Sequence, residues 1–453
     1  MAKLDRSAIR EIIDDFAKEI VARKTEGPKP EKAVIYFRNE RRDGIERKVW
    51  NVPIELLRYR KDNGRIRADV ISYEQQFGKL KEETKEAQEV LRSILENNDP
   101  EKNIELLRSM KHDGQLDPAI ITSDGFLING NRRKMISEKL KSPTMKVVIL
   151  PGKDDQGGPP TILEIEEIEN RYQHQSEGKA EYSRFNIALS IKRKIELGMS
   201  LEQQLRDDPI YAGLEYKEFQ KAVKQFEDEY LGPLECVDRY LEYLARYGFY
   251  KTISASSGDK EGRWEAFLDY YKHIWKKMDD PAQRRKMNIS EDEIGEVEDI
   301  AFKLIRHREF KRLGLKLHQV MRELPKWLSK ADAKEELFVL KEVQIDLPKE
   351  KNFKPDGSEY DEKDKDRIWS AEHSTIFHRQ LNRARSIFNQ EKSTDTPLDL
   401  LEQALKKLRH PNMNLDAIKT SEIPSAMKTV REIRDAIKEI EGTLYKRQTK
   451  KKS

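Results

Sequence analysis

The 453-residue sequence contains one cysteine, Cys236, which rules out an intrachain disulfide and a multi-cysteine zinc site. This cysteine usage predicts a reducing, cytoplasmic environment. The sequence also lacks any apolar run near the roughly 18 residues that span a bilayer. Its first helical pattern is interrupted by charges and is unlike a signal peptide. We therefore expect a cytoplasmic protein with no membrane association.

Hydrophobic residues are scarce, at 36%, whereas charged residues make up 38% of the chain. This balance favours amphipathic helices with solvated outer faces over one large buried sheet. The 87 basic and 83 acidic residues leave a formal net charge of only +4. Overall charge therefore does not identify a nucleic-acid-binding protein, and any DNA site must come from local clustering.

Strand signals are confined to the first third of the chain, where residues 33–37 and 48–52 predict a hairpin and residues 104–150 alternate between helix and strand. The expected fold class is α+β, with a small α/β N-terminal domain followed by a mostly α-helical C-terminal half. The expected segments are an N-terminal helix (1–30), the α/β domain (31–160), a helical region with a candidate helix-turn-helix (161–250), a helical domain (251–348), a charged linker (349–366) and a C-terminal helical region with a basic tail (367–453).

The stretch HDGQLDPAIITSDGFLINGNRRKMI carries the clearest chemistry. A turn at 129–131 precedes a predicted helix, and the start of a helix presents unpaired N–H groups and the positive end of the helix dipole. Arg132 and Arg133 add two guanidinium groups there, a combination suited to phosphate. The same residues also fit an ordinary turn and N-cap followed by solvated arginines, and the motif alone leaves both interpretations open.

This segment resembles the N-terminal domain of the ParB/sulfiredoxin superfamily. The resemblance rests on Leu106, Gly114, Gln115 and Pro118, then an Asp-Gly turn, then Gly130-x-Arg132-Arg133. Upstream, V-P-I-E-L-L with Asn63-Gly64-Arg65 looks like the family's first box, and downstream I-E-N at 168–170 looks like its E-N box. The resemblance covers about residues 45–175, well under half of the chain.

The resemblance implies a site for a nucleoside triphosphate, CTP or ATP, with Mg²⁺. It places Gly130, Asn131, Arg132 and Arg133 at the phosphates, Gly114 and Gln115 at the base or ribose, and Glu169 and Asn170 at the magnesium end, with Glu169 as the metal ligand. The chain departs from the family where Asn131 replaces the usual Glu of ParB-like members and where Arg171 directly follows the E-N pair. Sulfiredoxin-like members carry their catalytic cysteine at the position of Asn131, so sulfiredoxin chemistry is not expected, and no catalytic residue is assigned.

Residues 179–230 look like the helix-turn-helix region that follows the nucleotide domain in ParB-like proteins. Ser200 and Gln203 form an S-x-x-Q capping box. A helix over 215–227 places Tyr216, Phe219, Val223 and Phe226 on one face and Lys217, Gln220, Lys221 and Lys224 on the other. The second face suits the phosphates and major groove of duplex DNA. An ordinary solvated helix face is the alternative.

Together these features predict a ParB-like, prokaryotic, DNA-associated protein in which the nucleotide acts as a conformational switch. Two alternatives remain: a nuclease or slow nucleoside triphosphatase of a defence system, and a protein-binding scaffold with a degenerate nucleotide site. The last helix carries Met427, Val430, Ile433, Ile437, Ile440 and Leu444 spaced three or four apart, which is compatible with a homodimer as a further partner. Its basic tail fits either a DNA contact or a solvated terminus.

Overall fold

The computed structural model describes residues 8–38, 44–174, 183–206, 208–253, 263–392, 397–410 and 413–450. The chain divides into two compact units, Met1–Phe388 and Asn389–Ser453. The first unit contains a small sheet domain followed by a helical body, and the second contains helices alone. The α+β class expected from the sequence is therefore confirmed.

The sheet domain has four strands: β1 (Lys32–Ile35), β2 (Ile45–Pro53), β3 (Ala119–Ile121) and β4 (Thr144–Ile149). Their order is β1-β2-β4-β3, with β1 and β4 antiparallel to β2, and β3 parallel to β4. Six helices accompany them: α1 (Asp14–Arg23), α2 (Arg67–Phe77), α3 (Lys85–Asn98), α4 (Pro100–Asp113), α5 (Asn131–Lys139) and α6 (Ile162–His174). Residues 126–128, expected as a strand, contribute only single bridges at Phe126 and Leu127.

The sheet separates two apolar cores, because side chains alternate between its faces. On one face, Ala119, Val147 and Met145 pack with residues of α2, α3, α4 and α5. On the other, Ile120 and Val148 pack against Ile165 and Ile168 of α6. The sheet therefore fixes α5 and α6 on opposite sides of the domain.

The N-terminal helix is shorter than the sequence pattern predicts. Helix α1 begins only at Asp14, and Ile9 forms a β-bridge with Thr161. Arg10 donates to the buried carboxylate of Asp124 at 2.8 Å and stacks on the ring of Phe126. These tertiary contacts outweigh the helical periodicity of residues 8–13, because pairing a buried carboxylate is worth more than the small helix propensity of a few residues.

The helical body and the second unit complete the fold. The body contains α7 (Arg184–Glu196), α8 (Leu201–Arg206), α9 (Pro209–Ala212), α10 (Tyr216–Phe226), α11 (Gly232–Tyr243), α12 (Trp264–Tyr270), α13 (Lys276–Met278), α14 (Pro281–Lys286), α15 (Ile294–His307), α16 (Leu317–Leu328), α17 (Ala331–Phe338) and α18 (Glu362–Lys392). Two π-helical turns, Glu227–Leu231 and Tyr271–Trp275, join α10 to α11 and α12 to α13. The second unit contains α19 (Pro397–Leu408) and α20 (Ile423–Lys450).

One large apolar core holds the helical body together and reaches into the sheet domain. Ala68 of α2 and Phe185 of α7 belong to the same cluster as Trp327 of α16 and Trp369 of α18. A backbone hydrogen bond from Lys251 to the hydroxyl of Ser72 adds a polar contact between the two parts. The sheet domain and helical body are therefore packed as one unit.

The segment 349–366, expected as a flexible linker, ends inside helix α18. Asp366 is buried, and its carboxylate accepts hydrogen bonds from Arg246, Arg263 and Arg306 at 2.6–2.8 Å. These arginines hold the pKa of Asp366 far below its usual range, against the opposing effect of burial. The last residue of this charged segment therefore belongs to a buried ion cluster, which holds the start of α18 against the helical body.

No helix in the described part of the chain has both the length and the apolar run needed to cross a membrane. Residues 254–262, where the helical pattern of the sequence breaks, lie outside the described residues.

Candidate functional site

Gly130 forms the turn that precedes helix α5, as the sequence predicts. Its φ of 89° lies in the left-handed region, where glycine is favoured. A Cβ added here would lie 2.7 Å from the Cβ of Ala119, so any side chain would displace strand β3. Both the conformation and the close approach therefore require glycine.

A cavity of about 330 Å³ lies against this turn. Six of the eight residues expected to bind nucleotide line it: Gly114, Gln115, Gly130, Asn131, Arg132 and Arg133. Leu106, Met110 and Leu116 supply an apolar wall, and Asn63, Arg65 and Tyr172 approach from α6 and the turn before α2. The volume falls within the usual range for small-molecule pockets, which are mostly apolar with a few oriented polar groups.

Arg132 is oriented by a buried asparagine. Its Nε donates to Oδ1 of Asn103 at 2.8 Å, and the Nδ2 of Asn103 donates to the carbonyls of Leu95 and Glu96 at the end of α3. The Nη2 of Arg132 is buried without a hydrogen-bond partner among the described residues. Burial and the neighbouring charge of Arg65 lower the pKa of Arg132 to about 10. This guanidinium would therefore gain from an anionic ligand.

Arg133 has a different environment. Its Nη1 donates to the carbonyls of Asp117 and Pro118, and its Nη2 lies 3.4 Å from Oδ1 of Asn129. The same Asn129 oxygen accepts from the backbone N–H of Ile120 at 2.8 Å. Arg133 thus connects the start of β3 to the turn, so it is neither a solvated arginine nor one whose donors are all available to a phosphate.

Asn131 is the most unusual side chain at the cavity. It is 4% exposed, and neither its Oδ1 nor its Nδ2 has a hydrogen-bond partner among the described residues. A buried amide without partners costs about 1–3 kcal/mol. Asn131 is followed in the sequence by Arg132, whose Nη2 is also unpartnered. Both residues therefore leave hydrogen-bonding groups unused at the start of α5.

Positive charge predominates around the cavity. Arg65, Lys102, Arg132 and Arg133 line it, against the two acidic residues Glu105 and Asp117. Lys102 forms an ion pair with Glu105 at 2.8 Å, and Arg133 lies beside Asp117. The charge of Arg65 lies close enough to Arg132 to lower the pKa of Arg132, and the proximity of two like charges favours an anion between them.

Gln115 lines the cavity, but its amide is occupied. The Nε2 donates to the carbonyl of Lys146 at 2.7 Å, and the Oε1 accepts from the N–H of Lys146 at 2.8 Å. This pair of bonds satisfies the backbone of Lys146 in β4, directly before the residues of β4 that pair with β3. Gly114 ends helix α4 with a φ of 73° and donates its N–H to the carbonyl of Met110. Gln115 is thus a structural bridge in this state.

Glu169, expected as the magnesium ligand, does not line the cavity. It is 2% exposed, its Oε2 forms an ion pair with buried Arg60, and its Oε1 accepts from Asn63 Nδ2 at 3.0 Å and from the N–H of Gly64 at 2.8 Å. The carboxylate therefore lies behind the Asn63–Gly64 turn and fixes it. Asn170 follows in α6, and its side chain lies outside the described residues.

The residues present do not fit a Mg²⁺ ion bound by Glu169. Its buried carboxylate is already surrounded by the guanidinium of Arg60, the amide of Asn63 and the N–H of Gly64. Among the described residues, no three His, Cys, Asp or Glu side chains group closely enough to hold a metal. A cation that accompanies a nucleotide would have to be held mainly by the phosphates and water, which Mg²⁺ commonly accepts.

The candidate helix-turn-helix has its own small core. Ile191 of α7, Leu201 and Leu205 of α8, and Phe219 and Val223 of α10 pack together. The Ser200–Gln203 capping box is present, with reciprocal bonds of 3.0 and 3.2 Å, as expected. The capping residues thus confirm where the second helix begins.

The expected DNA face of α10 is only partly free. Lys217, Lys221 and Lys224 are exposed, whereas Gln220 is half-buried and donates to Glu202 at 3.1 Å. Tyr216, expected on the apolar face, is 71% exposed. The structure therefore brings three lysines together on one side of the helix and assigns Gln220 to a contact with α8.

The sequence alone did not identify as ligand contacts the polar cavity residues Arg65, Lys102 and Tyr172, nor Asn103, which orients Arg132. Arg65 lies in the stretch that looks like the family's first box, and this proximity was the only available signal. The other three come from α4 and α6, where nothing in the spacing of charges indicates a shared cavity.

Comparisons with protein-family models, with curated proteins and with solved structures find no match to this chain.

The arrangement around Glu169 predicts a stability effect that a metal ligand would not produce. Glu169→Gln removes the nearest counter-charge of the buried guanidinium of Arg60, so we expect the free energy of unfolding to fall by about 3–5 kcal/mol. The measurement is urea denaturation in EDTA without nucleotide. Glu89→Gln, at an exposed position of α3, is the matched control and should change it by less than about 0.5 kcal/mol. Equal stability of Glu169→Gln and wild type in EDTA, with a difference only in Mg²⁺, would instead support the metal role.

Proposed function

We propose that the cavity at the start of α5 binds a nucleoside triphosphate, CTP or ATP, and that the protein is a ParB-like, DNA-associated switch. The observation that carries this proposal is the convergence of six sequence-identified residues on one cavity in which Arg132 and Asn131 retain unpartnered buried atoms. The triphosphate would lie towards Arg65 and Arg132, with Mg²⁺ as its counter-ion. A prokaryotic, cytoplasmic setting belongs to the same proposal.

The phosphate end of this site is supported by charge and by hydrogen-bonding capacity. The helix start alone contributes about 0.3–1 kcal/mol towards an anion, too little to hold a nucleotide. The partly buried guanidinium of Arg132 adds a charge-assisted bond of roughly 1.5–3 kcal/mol, and Arg65 brings a second cation to the cavity wall. The apolar wall of Leu106, Met110 and Leu116 gives a base or ribose a surface to pack on.

A switch requires a connection between the cavity and the DNA-binding region, and one passes through Arg65. The backbone carbonyl of Arg65 accepts from Nδ2 of Asn186 in α7 at 3.0 Å and from Nδ2 of Asn98 at 3.3 Å. The side chain of the same residue lines the cavity. A phosphate that repositions Arg65 would therefore also move the contact with α7, the first helix of the candidate helix-turn-helix. A ligand that binds one arrangement of this contact better than another would shift the equilibrium between them.

Duplex DNA is the proposed partner, with Lys217, Lys221 and Lys224 at its phosphates. Two observations support this assignment: the three lysines are exposed on one side of α10, and α10 packs with α7 and α8 around a small apolar core. The nuclease alternative requires a metal-binding cluster, and the described residues contain no such group. The scaffold alternative is favoured by the apolar faces of α19 and α20, which are exposed.

The nucleotide proposal predicts that Arg132→Ala weakens triphosphate binding by about one to two decades, because one charge-assisted contact of roughly 1.5–3 kcal/mol is lost. The measurement is calorimetry with CTP, ATP and GTP in Mg²⁺, with and without duplex DNA. Arg108→Ala, at an exposed position of α4 away from the cavity, should leave the dissociation constant unchanged. The proposal fails if the wild type releases no heat with any of these nucleotides, or if both variants bind equally well.

The DNA proposal predicts that changing Lys217, Lys221 and Lys224 together to Ala weakens duplex binding and flattens its salt dependence by about one log–log unit per lost phosphate contact. The triple variant Lys79→Ala, Lys81→Ala, Lys85→Ala removes the same charge from exposed positions near α3 and serves as the control. Fluorescence anisotropy measures the duplex affinity of both variants and of the wild type at salt concentrations from about 50 to about 300 mM. Equal slopes for the two variants would show that α10 presents only a solvated face.

A further inference from the structure

Asn131 does not cap the helix that it begins. It is the first residue of α5, its predecessor Gly130 is the N-cap, and no side-chain hydrogen bond caps this helix start. Asparagine is favoured where helices begin because its side chain usually accepts a hydrogen bond from a backbone N–H of the first turn. Here both amide atoms are buried and have no partner among the described residues. Helix capping therefore does not explain why an amide stands at this position.

The other amide side chains that line the cavity are engaged by the protein. Each has at least one hydrogen bond to another residue: Asn63 to Glu169, Gln115 to Lys146 and Asn129 to Ile120. Asn131 lines the same cavity, is 4% exposed and has no such bond within the described part of the chain. A buried amide without a partner raises the free energy of the fold. Asn131 is thus the cavity amide whose two atoms are available to a ligand.

The chemistry of an amide restricts the ligand group that can pair with it. Nδ2 is a donor and Oδ1 is an acceptor, so full pairing requires both an acceptor and a donor from the ligand. The oxygens of a deprotonated triphosphate only accept, so they would pair with Nδ2 and leave Oδ1 buried and unpaired. Because both atoms lack partners, the same holds for either orientation of the amide. The ligand group beside Asn131 therefore carries a donor as well as an acceptor, as a hydroxyl group does.

We propose that Asn131 binds a hydroxyl group of the ligand's sugar and so determines which sugar the cavity accepts. This inference rests on the proposed nucleotide function. Arg132, the next residue, is the guanidinium assigned to the phosphates, and the apolar wall of Leu106, Met110 and Leu116 offers the base a surface. The sugar of a nucleotide lies between its phosphates and its base, and its hydroxyl groups both donate and accept hydrogen bonds. A sugar hydroxyl therefore meets both requirements of the amide.

This assignment differs from the one that the resemblance implies. The resemblance places Gly114 and Gln115 at the base or ribose and Asn131 at the phosphates. The amide of Gln115 already exchanges two hydrogen bonds with the backbone of Lys146, and Gly114 has no side chain to offer. The donor and the acceptor of Asn131 are both unpartnered among the described residues. Recognition of the sugar therefore moves from the end of α4 to the start of α5.

Sugar-modified nucleotides test the proposal on the full chain. Calorimetry in Mg²⁺ compares CTP and ATP with their 2′-deoxy and 3′-deoxy forms, for the wild type and for Asn131→Leu. The wild type should bind one of the deoxy forms roughly 5- to 100-fold more weakly than the ribonucleotide, because a buried amide atom is left unpaired. The form that is weakened identifies the hydroxyl. Asn131→Leu should bind the ribonucleotide and both deoxy forms with equal affinity, because it has no amide to pair.

These affinities also separate the sugar assignment from the nucleotide proposal. Equal discrimination by the two proteins, or no discrimination by the wild type, overturns the sugar assignment and leaves nucleotide binding intact. A wild type that binds none of the nucleotides overturns both. Where the larger leucine blocks binding, Asn131→Ala, which leaves the cavity open, provides the same comparison.

The stability of the ligand-free protein tests whether the amide serves the fold instead. Leucine has the branching of asparagine without its polar atoms, so Asn131→Leu should raise the midpoint of urea denaturation by removing a buried amide that has no protein partner. Asn129→Leu makes the same change two residues earlier at the same cavity. It should lower the midpoint, because it removes the acceptor of the Ile120 N–H. A fall for Asn131→Leu as large as that for Asn129→Leu would show a structural role and overturn the proposal.

Discussion

The buried carboxylate of Glu169 is the constraint on which the candidate site depends. It joins α6 to the Asn63–Gly64 turn through Arg60, Asn63 and the backbone of Gly64. A desolvated carboxylate is tolerated only where charge and hydrogen bonds compensate it, so the turn cannot move independently of α6. The position of Arg65, at the cavity and against α7, follows from that turn. One ion pair thus sets both the cavity wall and its contact with the helical body.

Asp366 plays the corresponding part in the helical body, where it gathers Arg246, Arg263 and Arg306 at the start of α18. The chain has few hydrophobic residues for its length, and these two buried clusters show how its abundant charge is used inside the fold. Removal of either carboxylate would take the nearest counter-charge from buried guanidinium groups, which is far more costly than the loss of a surface pair. The clusters therefore specify which elements meet as much as they stabilise them.

Local signals in the sequence predict what local physics determines. The glycine turn before α5, the Ser200–Gln203 cap and the bounds of α10 all depend on residues within one or two helical turns. The misjudged residues depend on distant partners. Glu169 and Arg60 are 109 residues apart, and Asp366 and Arg246 are 120 apart. Spacing along the chain does not distinguish a carboxylate that awaits a cation from one already paired with an arginine.

The unpartnered atoms of Asn131 and Arg132 are the feature through which the proposed nucleotide would act as a switch. In the free protein, each buried unpaired group raises the free energy of this conformation by about 1–3 kcal/mol. A ligand that supplies both donors and acceptors would lower the free energy of the conformation that binds it more than the free energy of other conformations. Only such a difference between conformations can shift their equilibrium. Asn131 is neutral, so its amide N–H groups could donate to a phosphate oxygen of the proposed ligand. The proposed ligand would therefore complete the hydrogen bonding of a site whose paired framework, from Glu169 to Arg65, is already fixed.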